Sequence, residues 1–196
     1  MPMPGVFSAI NSHLQGSLIG KNLQTLAKNL PDGMVLNQEG WVESKIIVGT
    51  QVYIKGKYDL LIKDSKNNHI LVDLKISLPH ADKIDKYKTQ LNAYKFALEN
   101  PKFGKPVQIT RLGLLVFYPN EVKFENGTAY VAFPPEWLEV PLDQPGFVAF
   151  AREVDSLLTG VVPPEGNTCK WCQYRHLGET LTHGLGEESI QEEIPF

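Results

Sequence analysis

The sequence predicts a mixed α/β domain in which helices flank a central β-sheet. Three observations favour this class. Stretches rich in β-branched and aromatic residues recur between residues 41 and 142. Two stretches with helical spacing of apolar residues, 81–100 and 145–160, lie between or after them. The length of 196 residues is enough for one domain with its own hydrophobic core and a small appendage.

The first half of the chain is predicted to contain a helical segment, three strands and a second helix. Apolar residues from 6 to 30 recur mostly at helical spacing with two interrupting glycines, which indicates one or two helices. The composition predicts strands at 41–48, 50–64 and 68–77. The apolar stripe of 81–100 ends just before Pro101, as a helix does.

The second half is predicted to complete the sheet and to end in a tail. The strands are expected at 109–119, 128–133 and 136–142, and a helix is expected at 145–160. We expect one domain over 1–176, made of a helical segment (6–30), a core (40–160) and a C-x-x-C segment (167–176). Residues 177–196 are acidic and are predicted to be a disordered tail.

The charge and hydropathy patterns exclude some classes of protein. No apolar run approaches the ~20 residues that span a bilayer, and no secretory signal is recognisable, so we expect a cytoplasmic protein without a membrane partner. The net charge of −3 is uneven, because five of the 22 acids lie in 177–196. Residues 1–176 therefore carry 17 acids against 19 bases, a mildly basic balance that permits a nucleic-acid partner.

A hairpin over residues 58–77 carries the strongest functional signal. If Lys63 pairs with His69 around a five-residue loop, Asp59 lies opposite Asp73. Opposed like charges destabilise a strand pair, whereas a divalent cation would turn the repulsion into coordination. Lys75 lies on the same strand face as Asp73, so a phosphodiester-hydrolysis site is predicted. The alternative is a solvated sheet face on which Lys75 forms an ordinary surface ion pair.

Five short motifs follow one another in a distinctive order: G-K-Y-D (56–59), V-D-L-K (72–75), Q-L-N-A-Y (90–94), V-F-Y-P (116–119) and C-K-W-C-Q-Y-R (169–175). This order resembles the PD-(D/E)XK nuclease superfamily, and within it the RecB-like branch that includes the CRISPR-adaptation nucleases. The resemblance covers roughly residues 40–176. It implies a restriction-endonuclease-like mixed β-sheet flanked by helices.

The resemblance also implies roles for the hairpin residues. Asp59 and Asp73 would bind Mg²⁺ or Mn²⁺, with the backbone carbonyl of Leu74 as a further ligand. Lys75 would orient or activate the attacking water. The implied function is a metal-dependent DNA nuclease, foremost an exonuclease, in recombination, repair or phage-type DNA processing. The alternatives are a catalytically silent DNA-binding or scaffold module of the same fold and an RNA-acting nuclease.

Four further residues are candidates by the same resemblance. Gln90 and Tyr94 would steady the lysine and the scissile phosphate, although Tyr94 also fits the apolar stripe of its helix. Glu43 is a candidate outer metal ligand, or else an exposed strand residue. His13 precedes the strands, where related nucleases take a histidine ligand from a helix, but it matches no family pattern.

The C-x-x-C pair departs from the family's iron–sulfur members, which use four cysteines. Cys169 and Cys172 are the chain's only cysteines, so a four-cysteine cluster cannot form within one chain and no iron–sulfur cluster is expected. The pair is interpreted as a remnant packed against Trp171 and Tyr174. A zinc site with His176 as third ligand, or a metal site shared between two chains, is the alternative.

The chain ends in acidic residues followed by Ile194, Pro195 and Phe196. This ending resembles the tip of bacterial single-stranded-DNA-binding proteins, which docks onto genome-maintenance enzymes. The resemblance implies that the tip docks to proteins recognising such peptides, through one aromatic anchor and charge steering. Two alternative interpretations of this ending are an ordinary acidic tail and a tail that mimics single-stranded DNA and occupies the protein's own basic groove.

Overall fold

The computed structural model describes residues 5–79, 82–166 and 168–184, without the side chains of 82, 83 and 179–184. The chain divides into two units, Met1–Asp155 and Ser156–Phe196, which are described separately. No helix among the described residues is long and apolar enough to cross a membrane.

The first unit contains a five-stranded mixed sheet. The strands in chain order are β1 (Met34–Glu43), β2 (Lys55–Lys63), β3 (His69–Ile76), β4 (Ile109–Phe117), β5 (Glu121–Glu125), β6 (Thr128–Ala132) and β7 (Pro135–Val140). The sheet has the order β1-β2-β3-β4-β7, and β5 pairs with β6 in a separate ribbon. β3 and β4 are parallel, whereas the other neighbours in the sheet are antiparallel.

Helices cover the sheet on both faces. In the first unit these are α1 (Gly5–Leu18), a 3₁₀ turn (Leu23–Thr25) and α2 (Asp82–Glu99). α3 (Gln144–Thr159) begins in the first unit, and α4 (Lys170–Gly184) belongs to the second unit. α2 connects the parallel strands β3 and β4, because parallel neighbours need a crossover. This architecture confirms the predicted restriction-endonuclease-like class of fold.

Two hydrophobic clusters lie on opposite sides of the sheet. The cluster beneath α2 includes Leu71, Leu91 and Leu114, and the cluster beneath α1 and the 3₁₀ turn includes Leu18, Val72 and Leu115. Successive residues of β3 and β4 thus enter different clusters, as the alternation of side chains along a strand requires. Because both faces of β3 are buried, the alternative of a solvated sheet face is excluded for the middle of this strand.

The structure corrects two predicted strand boundaries and adds a strand. β1 begins at Met34 and ends at Glu43, and residues 45–54 form no strand although 41–48 and 50–64 were predicted as two strands. The apolar run at 46–48 misled the prediction, because Ile46 and Val48 are exposed in a loop and only Ile47 packs, in a small cluster with Phe147 of α3. The exposed strand β5 was not predicted.

The second unit contains a helix where a disordered tail was predicted to begin. α4 runs to Gly184, so the segment from 177 to 184 is helical. Of the five acids that motivated the prediction, only Glu179 lies within α4. The remaining four, with Ile194, Pro195 and Phe196, lie outside the described residues.

Candidate active site

The turn between β2 and β3 sets the relative position of the two candidate aspartates. Lys63 pairs with His69 and Leu60 pairs with Val72, which confirms the predicted register. Asp64 holds the turn, because its Oδ1 accepts hydrogen bonds from the backbone N–H groups of Lys66 and Asn68, each at 2.8 Å. A side chain that accepts from its own loop stabilises one loop length, and the loop length fixes the register.

Asp59 and Asp73 lie at the end of this strand pair. Oδ2 of Asp59 accepts a hydrogen bond from the backbone N–H of Leu74 at 2.8 Å, so this carboxylate reaches across to β3. Asp73 is only 4% exposed. Burial raises the pKa of both carboxyls, that of Asp73 to about 6, and the neighbouring charge of Asp59 adds to the shift of Asp73.

Lys75 completes a buried charged group on the same strand. Its Nζ lies 2.7 Å from Oδ2 of Asp73 and 4.7 Å from the centroid of the Tyr87 ring on α2. Burial acts to lower the pKa of Lys75, but the carboxylates of Asp73 and Asp59 outweigh it, so the pKa is raised. Lys75 is therefore an ammonium ion at neutral pH, bound between a carboxylate and an aromatic face.

The strand geometry is irregular at Asp59. Tyr58 packs in the α2 cluster, whereas Leu60 packs in the cluster on the other face, together with Ile62. On β1, Glu39 lies between the residues that pair with Leu60 and Tyr58, and its φ is +50°. A local break of this kind re-aims a side chain and is frequent beside active sites.

Glu39 is an acidic neighbour of Asp59 that the sequence did not identify as a site residue. Its charge raises the pKa of Asp59, and its Oε2 lies 2.9 Å from Nζ of Lys57. Gly40 is the sequence feature that could have indicated this irregular part of the strand, since an isolated glycine within a strand suggests a bulge or a close approach of other atoms to the backbone. Gly40 provides such an approach, because a Cβ built there would lie 2.2 Å from the Tyr58 ring.

The predicted helix residues lie over the same region of the sheet. Tyr94 lies over Gly56 of β2, where an added Cβ would come within 2.8 Å of the tyrosine ring. Gln90 is half-buried one turn earlier and has no hydrogen-bond partner in the described part of the chain. The α2 residue that touches Lys75 is Tyr87, which the sequence placed only in the apolar stripe.

Two weaker candidates are not brought to the aspartates. Glu43 ends β1, where it pairs with Lys55 at 3.7 Å and with Lys102. The hydrogen bond from Lys102 holds the pKa of Glu43 below its usual value. His13 is exposed on α1. Among the described residues, no group of three or more His, Cys, Asp or Glu side chains could hold a metal ion.

The two aspartates nevertheless fit a hard divalent cation. Mg²⁺ commonly takes one or two carboxylates and fills its other positions with water and substrate phosphate oxygens. A buried carboxyl whose pKa is raised by burial and by a second carboxylate is the kind of group that a cation would stabilise as an anion. Asp59 and Asp73 supply this chemistry without a third acidic ligand.

The cysteine pair lies in the second unit. Both cysteines are free thiols, and Cys169 precedes the first residue of α4. Hydrogen bonds from the backbone N–H and the thiol of Cys172 lower the pKa of the Cys169 thiol. Nε2 of His176 lies 2.5 Å from Oε2 of Glu165, and no zinc-binding group of three ligands appears among the described residues.

The fold and this site together define the protein's class. A mixed sheet whose parallel centre carries Asp-x-Lys beside an aspartate of the neighbouring strand is a restriction-endonuclease-like arrangement. Residues 10–177 match the PD-(D/E)XK nuclease superfamily. The chain therefore belongs to this superfamily of nucleases.

The other comparisons add little. No curated protein matches the chain. The crystal structure of SSO0001 is similar to it at 19% sequence identity and a TM-score of 0.42, over 87% of this chain and 69% of that chain. A likeness of this strength carries no argument about function.

Proposed function

We propose that this chain is a Mg²⁺- or Mn²⁺-dependent deoxyribonuclease of the RecB-like branch, acting as an exonuclease in recombination, repair or phage-type DNA processing. The observation that carries the proposal is the group formed by Asp59, Asp73 and Lys75 at the junction of β2 and β3. Asp59 is hydrogen-bonded to the backbone beside Asp73, and Lys75 is ion-paired to Asp73. Superfamily membership supports the hydrolytic chemistry.

The aspartates would hold the cation. Asp59 is oriented by the N–H of Leu74, so its remaining oxygen is available for coordination. Asp73 is fixed by burial on a central strand, and the carbonyl of Leu74 is the proposed third protein ligand. When bound, a divalent cation polarises the scissile phosphate and lowers the pKa of a coordinated water.

Lys75, as a charged ammonium group, would position the nucleophile. The raised pKa keeps its ammonium charged in the metal-free protein, so it donates hydrogen bonds to a water or a phosphate oxygen. The ring of Tyr87 limits where the ammonium can go, since cation–π contact favours the space over the ring face. Orientation and charge stabilisation are therefore the roles that this geometry favours.

The α2 residues would close the site over the substrate. Tyr94 lies above Gly56, so its hydroxyl is held near the strand that carries Asp59. Gln90 lacks a hydrogen-bond partner in the described residues and is only half-buried, which leaves its amide available to a phosphate. Both residues are proposed to steady the scissile phosphate against Lys75.

The proposal is tested with end-labelled single-stranded DNA, double-stranded DNA and RNA, each with Mg²⁺, Mn²⁺ or EDTA. We expect metal-dependent release of short products from DNA ends, and its loss in Asp73→Ala and in Lys75→Ala. Glu125→Gln and Lys123→Ala on the exposed β5–β6 ribbon are matched controls that should keep activity. Circular DNA separates exonuclease from endonuclease action.

Three results would contradict the proposal. DNA binding without cleavage in either metal would favour the silent DNA-binding module. Cleavage of RNA but not of DNA would favour the RNA-acting nuclease. Activity that survives both Asp73→Ala and Lys75→Ala would place the chemistry elsewhere in the chain or in a contaminant.

A further inference from the structure

A cleft of about 480 Å³ opens where β1 ends, away from the aspartates. Its rim carries Trp41, Lys55, Phe103 and Lys105. The floor is mostly apolar and includes Val42, Ala97, Leu98 and Val107. We refer to this feature as the Trp41 cleft. It combines an apolar floor with charged and aromatic groups at the edge.

A second hollow of about 450 Å³ shares Glu43 with the cleft and adds Lys45, Tyr53 and Lys102. Together, the two hollows are lined by four lysines and one glutamate. Glu43 is already paired with two of those lysines, Lys55 and Lys102. The surface is therefore cationic, and a polyanion is the complementary partner.

Exposed aromatic rings line the same two hollows as these lysines. Trp41 is 74% exposed, Phe103 is 76% exposed and Tyr53 is 51% exposed. Nζ of Lys102 lies 5.2 Å from the centroid of the Phe103 ring. Exposed aromatic rings beside cationic side chains commonly bind unpaired nucleic-acid strands. The bases stack on the rings, and the phosphates contact the lysines.

The cleft and the candidate active site lie along the same strand pair. Trp41 of β1 pairs with Lys57 of β2, and Lys57 precedes Asp59 by two residues, roughly 7 Å along a strand. Lys55 of the cleft lies on the same strand. A strand bound in the cleft would therefore run along β2 toward the aspartates.

We propose that the Trp41 cleft binds an unpaired DNA strand by stacking bases on Trp41 and Phe103, and that it leads this strand to the active site. This inference rests on the proposed nuclease function and deepens it by naming the substrate form. An unpaired strand is favoured because duplex bases are already stacked on each other and offer no free face to an aromatic ring. The lysines supply contacts to phosphates that do not depend on sequence.

The test measures binding in EDTA, so that cleavage plays no part. A fluorescein-labelled oligothymidylate of about 12 nucleotides is titrated by anisotropy with full-length protein, Trp41→Ala, Phe103→Ala and the control Phe124→Ala. Phe124 is 83% exposed on β5, away from the cleft lining. We expect Kd to rise about tenfold in Trp41→Ala and by a similar factor in Phe103→Ala, with no change in the control.

An abasic oligonucleotide of the same length isolates stacking from phosphate contacts. It keeps the phosphates, so Trp41→Ala should bind it as the wild type does. An equal loss on the abasic and the thymidylate strands, or unchanged thymidylate binding in both aromatic variants, would overturn the inference. Thermal unfolding of each variant verifies that an exposed ring was removed without loss of the fold.

Failure of this inference differs from failure of the proposed nuclease function. If the protein cleaves DNA with metal but thymidylate binding is the same in the wild type, Trp41→Ala and Phe103→Ala, the cleft proposal is wrong and the nuclease proposal is unaffected. Binding that requires both rings, without cleavage in any metal, supports the cleft and contradicts the nuclease.

Discussion

The active-site group and the Trp41 cleft both place acids beside lysines, but they do so in opposite surroundings. Asp73 is buried between strands, and its pKa is raised to about 6 by burial and by Asp59. Glu43 lies in the cleft, and its pKa is lowered by Lys102. In both places the ammonium favours the ionised carboxylate, but burial outweighs this effect at Asp73 and does not outweigh it at Glu43.

From this contrast we expect the buried carboxylate of Asp73 to take part in chemistry and the exposed charges of the cleft to take part in binding. Burying a carboxylate costs free energy unless its partners compensate for lost hydration, and the partners of Asp73 do so only in part. Strongly shifted groups of this kind concentrate at functional sites. The cleft charges remain hydrated, so they can attract a polyanion without destabilising the fold.

The largest expected effect is the loss of activity in Asp73→Asn. The substitution keeps the volume and removes the charge, so metal-dependent cleavage should fall about a thousandfold, since metal stabilisation of the transition state is worth several kcal/mol. Mg²⁺ should raise the Tm of the wild type but not that of Asp73→Asn. Equal stabilisation of both proteins by Mg²⁺ would show that Asp73 binds no metal.

The next effect is a pH dependence of stability in EDTA. Because the pKa of Asp73 rises from 3.8 in the unfolded chain to about 6 in the fold, the folded state binds more protons between these values. The free energy of unfolding should therefore fall as pH rises from about 4 to about 6, by up to ~3 kcal/mol relative to Asp73→Asn. Urea unfolding across this range measures the difference.

Glu43→Gln is the matched comparison, and its sign is opposite. The pKa of Glu43 is lowered in the fold, so its stabilising contribution is present above the unfolded value and is lost as pH falls. The wild type should lose its small advantage over Glu43→Gln on acidification. If both variants respond to pH in the same direction, the contrast between buried and exposed carboxylates is wrong.

A third prediction concerns Gly40, which lies between the two regions. Glu39 before it neighbours Asp59, and Trp41 after it enters the cleft. A Cβ at Gly40 would lie 2.2 Å from Tyr58, so Gly40→Ala must displace that ring and should cost about 1–3 kcal/mol of stability. Both cleavage and thymidylate binding should weaken. Gly16→Ala, where an added Cβ meets nothing within 4 Å and the backbone is helical, separates this crowding from a general effect of losing glycine.

Much of the fold and of the site was predictable from sequence because it depends on local patterns. The buried strands β3 and β4 and the helices α2 and α3 appear close to their predicted bounds. The register that brings Asp59 to Asp73 followed from loop length, and Asp64 now explains why that loop length is stable. Periodicity and turn chemistry depend on residues close together in sequence, so they can be recognised from a single sequence.

The features that were missed depend on contacts between distant residues. β1 contains the polar residues Asn37, Gln38 and Glu39, so its sequence lacks the pattern of a strand. β1 is an edge strand, and these residues are mostly exposed to solvent. Glu39 adopts a positive φ within a strand, which no local pattern announces. Tyr87 packs against the α2 cluster, and only the folded chain reveals that the side chain of Lys75 also reaches its ring.

The smallest expected effect is electrostatic and belongs to the cleft. Lys105 is exposed at its rim and forms no ion pair among the described residues. If it contacts one phosphate, Lys105→Ala should reduce the slope of log K against log salt for single-stranded DNA by about 0.7. Binding should weaken by the same factor on thymidylate and abasic strands, in contrast to Trp41→Ala. Lys123→Ala on the β5–β6 ribbon should leave the slope unchanged, and an equal change in both variants would mean that the DNA senses net charge rather than the cleft.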